Sequence, residues 1–368
     1  MKISLLLFKK EEDQSTESDN SQITVAALQI KMVLYDNPLI FADKMEELVC
    51  QASKEGARLV VFPEDNLSQL LGLLPGISDN DESHDDQNNN KKQANKADID
   101  EILSEIGDDI SISEILAFVG PLIKKVSLLI FAELSRKYNL YIMAGSGLFP
   151  DSSQYIDKGD MAEEIKKNNN IRESRDVRES DSKMIFNIAY LFGPDGKLLG
   201  KQKKNHLLPL EDKWGLKSGQ EISVFTTKIG KLAFPICMDA TYFETFQIAS
   251  NKAAEIVMIP IANPDPNYNY WTALRGIWGR VQESPVYGIK SAMVGNFLGF
   301  ELTGQAGIYA PISLTENQDG IIAESETHDC EEIIIAKISL GLLKEYREKS
   351  KIEVNKEFEE KYFPDIYK

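Results

Sequence analysis

Two short apolar runs, ITVAALQI (Ile23 to Ile30) and RLVVFPE (Arg58 to Glu64), flank a segment of different period. In that segment, NPLIFADKMEELVCQASKEGA, Asn37 is placed to cap a helix and Pro38 to occupy its first turn. Phe41, Met45, Leu48, Val49 and Ala52 then recur on one face, and Gly56 stops the helix. A strand, an amphipathic helix and a second buried strand restrict the chain to layered folds, because each apolar face must be covered by another layer.

The same alternation continues. A helix through GPLIKKVSLLIFAELSRKYN precedes the strand YIMAGSGLF. MIFNIAYLF, the turn GPDG and KLLGKQKK read as a hairpin, and ISVFTTKIGKLAFPIC as a second one. A helix over TYFETFQIASNKAA, the strand EIVMIPIAN and a helix around TALRGIWGRVQESPVYGIKS follow. The strands AMVGNF, AGIYAPI and EIIIAKI close the pattern. The expected class is α/β (α+β), with one large mixed sheet or two sheets packed together. No repeat of fixed period is present.

Three polar stretches interrupt this order. Residues 1–22 form a charged leader. Insertions at about 78–101 and 151–183 lack hydrophobic periodicity and read as solvated loops, with partner-binding segments as the alternative. Residues 23–347 are expected to form a single domain, and 348–368 a tail that contacts a second copy.

Composition narrows the function classes. The 58 acidic and 41 basic residues among 368 give a net charge of -17, which opposes binding to nucleic acid or to an anionic membrane surface. Cys50, Cys237 and Cys330 are far apart and odd in number, so no disulfide framework is expected and a reducing cytoplasm is the default. The opening MKISLLLFKKEEDQ is too short for a signal peptide's apolar region. No apolar run is expected to approach the ~20 residues that span a bilayer.

Three reactive residues share one placement. Glu64, Lys204 and Cys237 each end a predicted strand, the position from which α/β folds present groups to a ligand crevice. A thiol where a strand meets a helix is expected to have its pKa lowered by the helix N-terminus, and the Met238 N–H there is free to face an oxyanion. Each residue also has a plain structural reading: Cys237 as a small core side chain, Glu64 as a helix-start acid, Lys204 as one solvated lysine of KQKK.

As a set, VVFPED around Glu64, KKNHLLPLE around Lys204 and ICMDATYFE around Cys237 resemble the signature blocks of the nitrilase superfamily of carbon–nitrogen hydrolases. The order agrees, and the two insertions account for a long gap between Glu64 and Lys204. The blocks NIAYLFGPDGKLLGKQKKNHL, EIVMIPIANP and RVQESPVYGIKSAMVGN resemble the family as well, so the likeness runs from Ile23 to Arg347 outside the insertions.

The resemblance implies a four-layer αββα sandwich and a Cys-Glu-Lys triad, with no metal and no organic cofactor. In it Glu64 is the general base, Cys237 the nucleophile, and Lys204 with the Met238 N–H the oxyanion support. Glu211 stands at the family's second glutamate and orients Lys204. Lys204 rather than Lys203 is taken as catalytic because it lies two before His206 in the family pattern. His206 is expected to be structural, and Glu244 to make helix-packing hydrogen bonds.

The implied activity is hydrolysis of a small non-peptide amide or N-carbamoyl bond through a thioester. Acyl transfer, nitrile hydrolysis and a non-catalytic binding or scaffolding role are the alternatives. Thr241 stands where an arginine is common, which weighs against a carboxylate-bearing substrate. The Cys-Trp-Glu block of true nitrilases is absent, which places amides ahead of nitriles. Tyr268, Tyr270 and Trp271 are either pocket wall or helix-anchoring aromatics. Relatives pair across a two-fold axis, so a homodimer or higher even oligomer is expected, with no nucleic-acid or membrane partner.

Overall fold

A computed structural model describes residues 22–74, 77, 111–151, 184–350 and 355–362. The polar leader and both insertions lie wholly or almost wholly outside these residues, and so does about half of the tail. Among the described residues, thirteen strands form one sheet that is folded over on itself. In the first leaf, β1 (Gln22–Lys31), β2 (Leu59–Val61) and β3 (Tyr141–Pro150) run parallel. The hairpin β4 (Ile185–Phe192) and β5 (Leu198–Lys203) extends this leaf.

The second leaf begins with the hairpin β6 (Phe225–Thr227) and β7 (Gly230–Ala233), then β8 (Ile256–Ala262) and β9 (Tyr287–Phe297). The short β10 (Phe300–Leu302) turns back on the end of β9. Among the described residues the leaves join where Gln29 to Lys31 pair with Ala292 to Val294. Elsewhere β1 is flanked by β13 (Glu332–Ser339), and β9 by β11 (Gly307–Tyr309), which pairs β12 (Ile321–Glu324).

Successive strand residues point to opposite faces, and the buried residues sort accordingly. Val25, Ala27, Leu59 and Val61 meet Leu232, Phe234, Ile256 and Met258 in a core between the leaves. Ala26, Leu28 and Val60 face outward, beneath α1 (Pro38–Lys54) and α2 (Ile112–Tyr138). Ala233, Val257 and Ile259 face the opposite way, beneath α4 (Phe243–Asn251), α5 (Tyr270–Arg275) and α6 (Trp278–Glu283). Three apolar cores separate four layers in the order α, β, β, α. The short α3 (Pro209–Lys213) follows β5.

Helix α1 forms as its sequence dictates: Asn37 accepts from the Leu39 N–H, and the five predicted positions are buried. Helix α2 begins earlier than predicted, at a capping box in which the Ser111 and Glu114 side chains bond each other's backbone N–H. By length and composition α2 is apolar enough to cross a membrane, which corrects the expectation that no run reaches that size. Here Leu116, Ile123, Leu128, Phe131 and Leu134 of α2 are buried in the outer core, while Phe118 and Leu122 are exposed.

The helix expected through Val286 to Ser291 is instead the start of β9. Pro285 ends the helical run, and the residues after it alternate between the inner core and the helical layer.

Candidate active site

Glu64 follows β2 in a turn clasped by β3. The Asp65 N–H donates to Ser146 Oγ at 3.2 Å, and Asn66 Nδ2 to the Ala144 carbonyl at 2.9 Å. Strand β3 bulges between Met143 and Ser146 to make this possible. A Cβ on Gly145, whose φ is 77°, would sit 2.1 Å from the Pro63 carbonyl oxygen, so only glycine lets the two backbones pass.

The Lys204 N–H continues the hairpin by donating to the Asn187 carbonyl at 2.9 Å. Its side chain is 1% exposed and lies between two carboxylates, 2.7 Å from Glu64 Oε1 and 2.8 Å from Glu211 Oε2. Asn187, on β4, spends its two amide hydrogens on the same pair: Nδ2 is 2.9 Å from Glu64 Oε1 and 3.0 Å from Glu211 Oε1. The Ala262 N–H donates to Glu64 Oε2 at 2.9 Å, and the Leu208 N–H to Glu211 Oε2 at 2.7 Å. The structure thus brings Glu64, Lys204 and Glu211 into one buried array. Lys203 points away, to Asp151 Oδ2 at 2.7 Å.

Cys237 arrives from the second leaf and lies close enough to Glu64 for the carboxylate charge to act on its thiol. It begins a 3-10 turn, Cys237–Thr241, in the left-handed region at φ 46°, and α4 starts only at Phe243. Bulky residues occupy that region at a cost and mostly at functional sites. The expected lowering of the thiol pKa does not occur: burial, then the Glu64 charge, pushes it well above the usual thiol range. One short turn supplies too little dipole to offset either effect.

Burial likewise raises the Glu64 carboxyl, against the opposing pull of Lys204. For Lys204, burial alone would lower the pKa, but the charges of Glu64, Cys237 and Glu211 together raise it well above the ordinary value.

Asp239 lies two residues after Cys237, in the same turn. Fully buried, it accepts from the Asn205, His206 and Ile236 N–H groups at 3.1, 2.8 and 3.0 Å. His206 Nδ1–H donates to it at 2.9 Å, and this raises the His206 pKa. One carboxylate therefore ties the residues after Lys204 to the turn carrying Cys237. Asp239→Asn would turn an amide N–H₂ against these donors. It is expected to lower unfolding stability by about 1–3 kcal/mol, read from urea denaturation. Tyr242 stacks on His206 at 4.1 Å, and Glu244 reaches the other ring nitrogen at 3.9 Å, a tie to the Lys204 loop rather than a helix contact.

Asp65 carries a second pH-dependent effect. Burial, then the neighbouring Glu64 charge, pushes its carboxyl from 3.8 up to about 8. The folded chain holds this proton between those values while the unfolded chain releases it, so stability falls as pH rises from about 4 to about 8. Asn tolerates the left-handed backbone at this position, φ 57°. Asp65→Asn is therefore expected to melt higher than the parent at pH 8 and to match it near pH 4.

Cys237 opens onto a cavity of about 130 Å³ lined also by Met238, Thr241, Asn263, Tyr268 and Lys290. Of the three aromatics near 270, Tyr268 is pocket wall and Tyr270 packs into the helix-side core, bonding Glu324 at 3.1 Å. Trp271 does neither, being 75% exposed. Asn187 and Lys290 escaped sequence reasoning: an asparagine inside an apolar strand and a lysine in an expected helix carry no local signal. Among the described residues no group of His, Cys, Asp and Glu is arranged to hold a metal ion.

Residues 24–348 match the family profile described as carbon–nitrogen hydrolase. The probable hydrolase YhcX of Bacillus subtilis is 32% identical over 313 residues, 84% of this chain and 48% of that protein. The omega-amidase NIT2-B of Xenopus laevis is 32% identical over 120 residues, 30% of this chain and 43% of the relative. The chain thus spans about half the length of the curated relatives it matches.

Among solved structures, the carbon–nitrogen hydrolase of Helicobacter pylori G27 superposes with a TM-score of 0.62 at 17% identity, covering 94% of this chain and 99% of that one. Nit3 of Saccharomyces cerevisiae, a nitrilase-superfamily protein, gives 0.58 at 17% identity, covering 91% and 97%. The layered sandwich seen here is that shared fold, and the chain belongs to the carbon–nitrogen hydrolase family, within the nitrilase superfamily.

Proposed function

We propose that this chain hydrolyses a small non-peptide C–N bond, in an amide or an N-carbamoyl compound, through a thioester on Cys237. The observation that carries the reading is the joint burial of Glu64, Lys204 and Glu211 against a thiol that opens onto a cavity. Burying three charges costs several kcal/mol per ion before pairing, and a chain that needed only packing would place apolar groups there.

The roles follow from the donors and acceptors. Glu64, made more basic by burial, takes the Cys237 proton as sulfur attacks the carbonyl carbon. The C=O electrons move to oxygen, which the Met238 N–H and Lys204 stabilise. The described residues occupy two of the three Lys204 N–H bonds, which leaves one for this oxygen. The intermediate collapses, and the leaving amine takes the proton from Glu64. Water then gives a proton to Glu64 and attacks the acyl carbon, the C–S bond breaks, and the thiol is regenerated. Glu211 and Asn187 position Lys204 throughout.

The relatives include omega-amidases and nitrilases alike, so the preference for an amide over a nitrile rests on the missing Cys-Trp-Glu block. Ammonia release from a panel of aliphatic and aromatic amides, N-carbamoyl compounds and nitriles tests the reading. Release that depends on Cys237 supports it; silence across the panel would move the assignment to acyl transfer or to a binding role.

A further inference from the structure

Among the residues lining the Cys237 cavity is a cation the proposed mechanism does not use. Lys290 sits on β9, paired in register with Ile259 of β8 and Gly307 of β11. Its neighbour Ile289 points into the core between the leaves, so Lys290 points the other way, toward α5. There it lines the same cavity as Cys237 and is only 2% exposed.

An ammonium has three N–H donors. One reaches the Ala273 carbonyl at 2.8 Å, and this is its single hydrogen bond among the described residues. The nearby acid is committed elsewhere: Glu324 accepts from the Tyr309 hydroxyl at 2.9 Å and the Tyr270 hydroxyl at 3.1 Å, and no ion pair joins it to Lys290 among the described residues. Burial lowers the Lys290 pKa to about 8, so at neutral pH most molecules keep the charge. The Tyr309 ring, 5.7 Å from the ammonium, offsets part of the burial, but donors without a hydrogen bond remain costly out of water unless a ligand completes them. Of the other charged lining groups, Arg275 is exposed at the rim and would add to the attraction, and Asp265 would oppose it.

We propose that Lys290 is a specificity-determining residue that binds a carboxylate at the far end of the substrate's acyl chain. The scissile carbonyl would then lie at Cys237. This rests on the hydrolase reading above and narrows its substrate class. It also revises the weight given to Thr241: the anion-binding cation comes from β9 instead of the turn after the cysteine. The bond to Ala273 offers a purely structural role for Lys290, as a cap on the last turn of α5. Such a role would not distinguish charged from neutral ligands.

The test is equilibrium binding to the full chain carrying Cys237→Ala, measured by calorimetry at pH 7, so that no turnover intervenes. The probes are the monoamides of succinic and glutaric acid, set against butyramide and valeramide, which match them in length without the charge. The charged amides are expected to bind at least about tenfold more tightly, the scale of one charge-assisted hydrogen bond. Adding Lys290→Gln, which keeps a neutral donor for Ala273, should erase that ratio, and Lys290→Arg should keep part of it.

Equal binding of charged and neutral amides, no binding of the charged ones, or a ratio untouched by Lys290→Gln would overturn the proposal. The first two outcomes are read without any Lys290 variant, so a folding defect cannot mask them. Cysteine-dependent hydrolysis of neutral amides without charge preference would sink this inference and leave the hydrolase standing. Charge-selective binding without turnover of any amide would do the reverse.

Discussion

Cys237→Ala is expected to cut ammonia release from the preferred amide by at least about a thousandfold, the scale on which removal of a covalent nucleophile acts. Nothing else in the cavity can replace it. Cys50 and Cys330 are the other free thiols, and neither lines the cavity. His206, near the array, is tied through Nδ1 to Asp239. Cys237→Ser should fare little better, because a hydroxyl holds its proton far more tightly than a thiol and Glu64 is too weak a base to take it.

The fold should survive the alanine variant. The thiol faces the cavity, and Glu64 keeps its bonds from Lys204, Asn187 and the Ala262 N–H. A circular-dichroism melt close to the parent, together with lost turnover, would separate chemistry from stability. Retained turnover would remove Cys237 from the mechanism.

Lys204→Met is expected to act on both. Turnover should fall by at least about a hundredfold, the cost of removing one oxyanion-stabilising donor. Stability should fall as well, by about 3–5 kcal/mol, because two buried carboxylates are left facing each other without their cation. Asn187 still bridges them, but a neutral amide offsets no charge. Part of the loss should be recovered by protonating one carboxylate. Glu64 already sits above its ordinary pKa, by burial first, and without Lys204 it should rise further. The variant should therefore unfold at a urea midpoint nearer the parent's at pH 5 than at pH 8. Lys203→Met, at a partly exposed site paired with Asp151, should leave the midpoint nearly unchanged.

Much of this arrangement was legible before any coordinates. Helix α1 and the β4–β5 hairpin carry their own instructions: a cap at Asn37, a buried stripe from Phe41 to Ala52, and a turn at GPDG. Such signals are local in sequence, so they survive being read one segment at a time. Glu64, Lys204, Glu211 and Cys237 could be singled out because each lies in a distinctive block.

Other features depended on residues far apart in the chain. The first half of β9, up to Ser291, replaced the end of an expected helix because its pairing with β8 and β11 outweighs local pattern. Pro285 was the one available hint. The short strands β10 and β12 were likewise set by tertiary partners.

By itself, then, the sequence determined the layered α/β class, the local elements with strong caps and periods, and the short list of reactive residues. Only the tertiary structure decided their environment. Asn187 bridges Glu64 and Glu211, Asp239 joins the Lys204 loop to the cysteine turn, and Lys290 faces the cavity beneath α5. The thiol pKa moved upward where a strand-to-helix junction alone implied the opposite. The physical reason is common to all four: burial and through-space charge depend on which distant segments the fold brings within a few ångströms, and no local period records that distance.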